Sequence, residues 1–70
     1  MSYPSNIELP NWVKWVAQDE NGSWWGFSVE PLEHFSGWYE NEVGDFILLL
    51  KPQGKTTIIQ WRDTLTKVNN

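Results

Sequence analysis

Two runs rich in β-branched and aromatic residues open the chain after its first ten positions. They are Trp12-Val13-Lys14-Trp15-Val16-Ala17-Gln18 and Ser23-Trp24-Trp25-Gly26-Phe27-Ser28-Val29, on either side of Asp19-Glu20-Asn21-Gly22. An Asn-Gly pair between such runs predicts a β-hairpin. Side chains alternate between the faces of a strand, so the register decides which of them share a core. A two-residue Asn21-Gly22 loop would pair Gln18 with Trp25 and Val16 with Phe27, setting the two apolar faces on opposite sides. A three-residue loop, Glu20-Asn21-Gly22, pairs Ala17 with Trp25, Trp15 with Phe27 and Val13 with Val29, and builds one continuous apolar face. That loop also suits a type I turn with a G1 bulge, in which Gly22 takes the left-handed conformation at little steric cost. The second register is the expected one. It puts Trp25 in the core and Trp24 on the opposite face with Trp12, Lys14, Val16 and Gln18. On that face Gly26, across from Val16, leaves a flat patch.

The remaining pattern is read the same way. Residues 1–10, with two prolines, Asn and Ser, read as an extended arm, and 11–70 as a single small β-rich domain. After Pro31 a short strand is expected around Trp38 and Tyr39. "NEVGD" then turns the chain, since Asn41 and Gly44 are turn formers. "FILLL" is apolar on both faces, which describes a central or covered strand. "KPQGK" is a further turn signal, and "TTIIQ" reads as a fifth strand. Trp61, Leu65 and Val68 recur at i, i+4 and i+7, a helical stripe of about two turns that forms only if it docks. The expected fold is mainly β: an antiparallel meander of four to five strands with a short C-terminal helix.

Composition explains how so short a chain can hold together. With no cysteine there is no disulfide, and with one histidine there is no zinc-finger set. Six Trp, three Phe and two Tyr in 70 residues supply large buried area instead. Nine acidic against five basic residues give a net charge of −4, which argues against nucleic acid or anionic lipid as a ligand. No apolar run approaches the roughly 18 residues of a membrane span. The absence of cysteine fits the cytoplasm.

Catalytic chemistry finds little to work with. His34 stands alone beside Phe35, and no serine has another base to pair with. The acidic groups Asp19-Glu20 and Glu40, Glu42 and Asp45 match no calcium loop and read as turn residues kept in water. No catalytic residue, metal or cofactor is expected.

The face carrying Trp12 and Trp24 admits three readings: cover by the arm or the C-terminal helix, a homo-oligomer interface to which "FILLL" would contribute, or a partner-binding surface. Its candidate residues are Trp12, Trp24 and Trp38 with the acidic rim Glu40, Glu42 and Asp45.

Two resemblances bear on this. Leu9-Pro10, Trp12 and Asn21-Gly22 before an aromatic pair look like the opening of a WW domain; Trp38, however, comes too late and is followed by "YENE" rather than by the closing proline. Trp12, Trp15, Asp19-Glu20-Asn21-Gly22-Ser23-Trp24-Trp25, Pro31 and Trp61-Arg62-Asp63-Thr64-Leu65 resemble a loose group of small Trp-rich phage- and prophage-encoded proteins, over about residues 12 to 66. That resemblance implies an accessory protein in the cytoplasm of an infected bacterium, which binds and modulates or inhibits a host or defence protein. The alternatives are a carbohydrate- or peptide-binding module with a Trp12–Trp24 platform, and a small virion or assembly protein.

Overall fold

The first hairpin closes with the three-residue loop. In the computed structural model, which describes residues 3–4, 7–41, 43–52, 54 and 57–68, β1 is Trp15–Gln18 and β2 is Trp24–Phe27. They pair antiparallel with Trp15 opposite Phe27, Val16 opposite Gly26, Ala17 opposite Trp25 and Gln18 opposite Trp24. Gly22 N–H donates to the Asp19 carbonyl and Asp19 N–H to the Ser23 carbonyl, both at 2.9 Å. Gly22 has φ 98°, the left-handed conformation that this turn and bulge require.

The chain is mainly β and antiparallel. Strands β3 (Leu32–Glu33) and β4 (Trp38–Tyr39) form a separate two-stranded hairpin. β5 (Phe46–Leu50) and β6 (Thr66–Lys67) complete a four-stranded sheet in the order β5-β2-β1-β6. The β3–β4 hairpin is therefore an excursion between β2 and β5, where the sequence pattern suggested a simple meander. Gly44 N–H bonds the Asn41 carbonyl at 2.8 Å and turns the chain into β5 as expected.

Three local expectations give way to tertiary contacts. The C-terminal stripe forms only a single 3-10 turn, Trp61–Asp63, before the chain extends into β6. Two helical turns are marginal alone, and the free edge of β1 offers backbone partners instead: Trp15 pairs with Lys67, Val16 with Thr66, and Val68 N–H reaches the Lys14 carbonyl at 2.7 Å. Secondly, residues 57–60 of "TTIIQ" are not a strand. Ile58 N–H is taken by the Glu20 carbonyl at 2.8 Å, tying this segment beneath the first loop. Thirdly, "FILLL" is an edge strand and not a central one.

The two tryptophans at 24 and 25 do lie on opposite faces, but their depth is the reverse of the expectation. Trp24 is 6% exposed and packs with Val13, Val16 and Val68. Tyr3, Ile7 and Leu9 of the arm, with Leu49 and Leu50, close over this cluster. A register shift opposite Trp24 and Trp25 gives β5 an extra residue there, which lets both leucines reach the cluster. Val13 departs from the strand pattern as well: it precedes β1 and bends over Gly26, instead of pairing with Val29. Trp25 is only half-buried and belongs to the second face.

Candidate functional site

The second face of the sheet is lined by Trp25 and Phe27 of β2, beside Phe46 at the start of β5. Trp25 and Phe46 meet with ring centroids 5.8 Å apart and planes tilted by 52°. Trp38 stands over them from the β3–β4 hairpin, and together with Asp19 and Glu40 these side chains enclose a cleft of about 200 Å³. On its other side Trp38 meets buried Trp61 edge-on, at 5.9 Å and 85°. The Arg62 guanidinium covers the Trp61 ring at 4.4 Å, pairs with Glu33 at 3.3 Å and donates to the Phe35 carbonyl at 3.3 Å. The hairpin carrying Trp38 is thus anchored to the C-terminal segment by ring packing and by one arginine.

Asp19 is the polar pivot of the cleft. Leaving β1, it enters the first turn with its carboxylate facing the hairpin, where Oδ1 accepts the Trp38 backbone N–H at 2.9 Å. The space it fills exists because residue 37 has no side chain: a Cβ on Gly37 would lie 2.6 Å from Asp19 Oδ1. Burial pushes the Asp19 carboxyl above its ordinary pKa, and donation from the Trp38 backbone and the Trp25 indole opposes that rise only in part. The Trp25 indole also donates to Ser23 Oγ at 3.2 Å. Trp38 Nε1 is buried without a hydrogen-bond acceptor among the described residues. A wider depression lined by His34, Gly37 and Tyr39 adjoins the cleft, sharing Asp19 and Trp38.

The expected site residues scatter. Trp38 and Glu40 line the cleft, and Asp45 is exposed just before β5. Trp12 lies in a turn ahead of β1, 37% exposed, whereas Trp24 is covered by the arm, so the two do not form one open platform. Glu42 lies outside the described residues. Asp19, Trp25 and Phe46 were missed as site residues. Asp19 reads from sequence as a turn acid, and nothing local signals that Gly37 makes room for it. His34 packs against Phe35 and, edge-on, against Tyr39, at 4.2 and 5.7 Å.

Among the described residues no group of three or more His, Cys, Asp or Glu is placed to hold a metal ion, and no helix is long and apolar enough to cross a membrane. No family model, curated protein or solved structure matches the chain.

Proposed function

We propose that this is a non-catalytic protein-binding domain that takes a cationic side chain of its partner into the cleft between Trp25, Trp38 and Phe46. The observation that carries the reading is the composition of the cleft: two carboxylates, Asp19 and Glu40, set among aromatic rings, with no basic residue in the lining. Ring faces attract a cation through their quadrupole, and the attraction grows when the cation is desolvated beside carboxylates. Lysine and arginine side chains, or a methylated ammonium group, have this chemistry. The resemblance to small phage-encoded proteins supports a host or defence protein in the bacterial cytoplasm as the partner, and blocking a basic surface of that protein as the way the domain modulates or inhibits it.

A titration with small probes tests the cleft directly. Acetyl-arginine amide, acetyl-lysine amide and tetramethylammonium should each perturb tryptophan fluorescence, while the neutral isostere acetyl-norleucine amide should not. Glu40→Gln, on an exposed side chain, should weaken the response without changing the fold. An equal response to the neutral isostere would sink the reading.

A further inference from the structure

The residue that lets the first turn close also makes its neighbour reactive. A peptide nitrogen that follows asparagine can attack the side-chain amide, most readily when it belongs to glycine, which has no side chain to crowd the approach. Asn21-Gly22 is such a pair, Asn21 is exposed to water, and Gly22 is the residue that the left-handed turn requires. We propose that Asn21 is a self-modification site held in check by the closed turn. It converts to aspartate and isoaspartate when the turn opens, and the isoaspartate form displaces Trp25 from the cleft wall. The reaction needs only water and is independent of what the cleft binds.

The Gly22 nitrogen, its proton lost to hydroxide, bonds to Asn21 Cγ. The Cγ–Nδ2 bond breaks and ammonia leaves with a proton from water, so that a five-membered imide joins the two residues. Water then opens the imide. Breaking the bond from Cγ to the Gly22 nitrogen gives aspartate. Breaking the bond from the main-chain carbonyl carbon to that nitrogen gives isoaspartate, in which the chain runs through Cβ and Cγ. Ammonia is lost, water is gained and no electrons are exchanged.

The closed turn engages the groups that the attack needs. Gly22 N–H donates to the Asp19 carbonyl at 2.9 Å, while Asn21 Oδ1 accepts Ser23 N–H at 3.0 Å and the Ser23 hydroxyl at 2.7 Å. Ring closure has to take the nitrogen off Asp19 and swing the amide off Ser23. The loop is also clamped from outside: Glu20 N–H donates to the Ser36 carbonyl at 3.2 Å, and the Glu20 carbonyl accepts Ile58 N–H at 2.8 Å. Opening the turn therefore means releasing two distant segments, and conversion follows opening of the fold rather than the exposure of Asn21. The product reaches the cleft through Ser23, whose Oγ bonds Asn21 on one side and accepts the Trp25 indole N–H at 3.2 Å on the other. Aspartate keeps an oxygen in the place of Oδ1. Isoaspartate lengthens the loop by a methylene and moves that oxygen away.

Peptide mapping by mass spectrometry, with isoaspartate separated from aspartate by chromatography, tests this at mildly alkaline pH. The arms are the native protein, the same protein unfolded in urea, and native Ser23→Ala, its fold checked by circular dichroism. The native wild type should convert about tenfold more slowly than the unfolded chain, because conversion waits on opening. Ser23→Ala, which frees Asn21 from one donor, should convert faster than the native wild type. In the refolded isoaspartate form the Trp25 indole N–H resonance should shift, whereas Asn21→Asp should leave it near its wild-type position. A native rate equal to or above the unfolded one overturns the proposal. Slower conversion in Ser23→Ala also overturns it, since the hydroxyl would then be stabilising the developing oxyanion on Oδ1 instead of restraining the amide. An unmoved Trp25 resonance in the isoaspartate form overturns the link to the cleft. None of these outcomes bears on the cation titration.

Discussion

Val13 occupies the space that Gly26 leaves empty. A Cβ placed on Gly26 would come within 2.9 Å of Val13 Cγ1 and 3.0 Å of Cγ2, with Leu49 Cδ1 at 3.3 Å. The flat patch expected across from Val16 is therefore the seat on which the chain entering β1 closes the first core.

That relationship predicts a coupled pair. Gly26→Ala should destabilise the fold by about 1–3 kcal/mol through overpacking. In the background of Val13→Ala the same change should cost much less, because the conflicting methyl groups are gone. A urea-denaturation double-mutant cycle measures the difference, and strictly additive effects would show that the two positions do not share this space.

The adjacent tryptophans should respond unequally. Trp24→Ala removes the centre of the cluster under the arm and should cost about 3–5 kcal/mol, comparable to the whole stability of a domain this small. Trp25→Ala opens a half-exposed cleft wall and should cost less. Acrylamide quenching of single Trp→Phe variants gives the same ordering without unfolding the protein: Trp25 accessible, Trp24 shielded.

Thr64 replaces a backbone partner at the end of β1. Its buried Oγ1 accepts Gln18 N–H at 2.8 Å and donates toward the Trp61 carbonyl at 2.6 Å. Thr64→Val keeps the shape but leaves Gln18 N–H unmet, so the expected loss is about 1–3 kcal/mol. Faster amide exchange at Gln18 should accompany it.

Asp19 should impose a pH dependence of unusual sign for a carboxylate. Its folded pKa is raised, mainly by burial, so between the ordinary carboxylate pKa and the raised value the native state holds a proton that the unfolded chain has lost. The stability from this group is fully present below the unfolded pKa and is lost as pH rises through the folded pKa. Urea midpoints across acidic to neutral pH should show the wild type losing ground to Asp19→Asn as pH rises. The amide oxygen of Asn can still accept the Trp38 N–H. The opposite trend would mean that hydrogen bonding, rather than desolvation, dominates at Asp19.

The candidate site was legible in part. Trp38 and Glu40, which line the cleft, stand out in the sequence because tryptophan favours interfaces and Glu40 opens the acidic group Glu40, Glu42 and Asp45. Asp19, Trp25 and Phe46 do not, since they are far apart in sequence and meet only when the β3–β4 hairpin folds back over β2 and β5. Trp24 misled for a related reason: its face was read correctly from parity, but parity is silent about what lies on top of a face.

What the sequence by itself determined were features governed by near neighbours. The Asn-Gly loop, the left-handed Gly22 and the β1–β2 register follow from turn chemistry and two-residue alternation, which act within a few bonds. The tertiary structure alone decided which face closed deepest, because the arm, the bulged leucines and Val13 compete for it from distant positions. It also turned the C-terminal stripe from helix into strand. The stripe's spacing favoured helix weakly, and the unpaired edge of β1, invisible in any local window, offered Thr66 and Lys67 backbone partners that two isolated helical turns could not match.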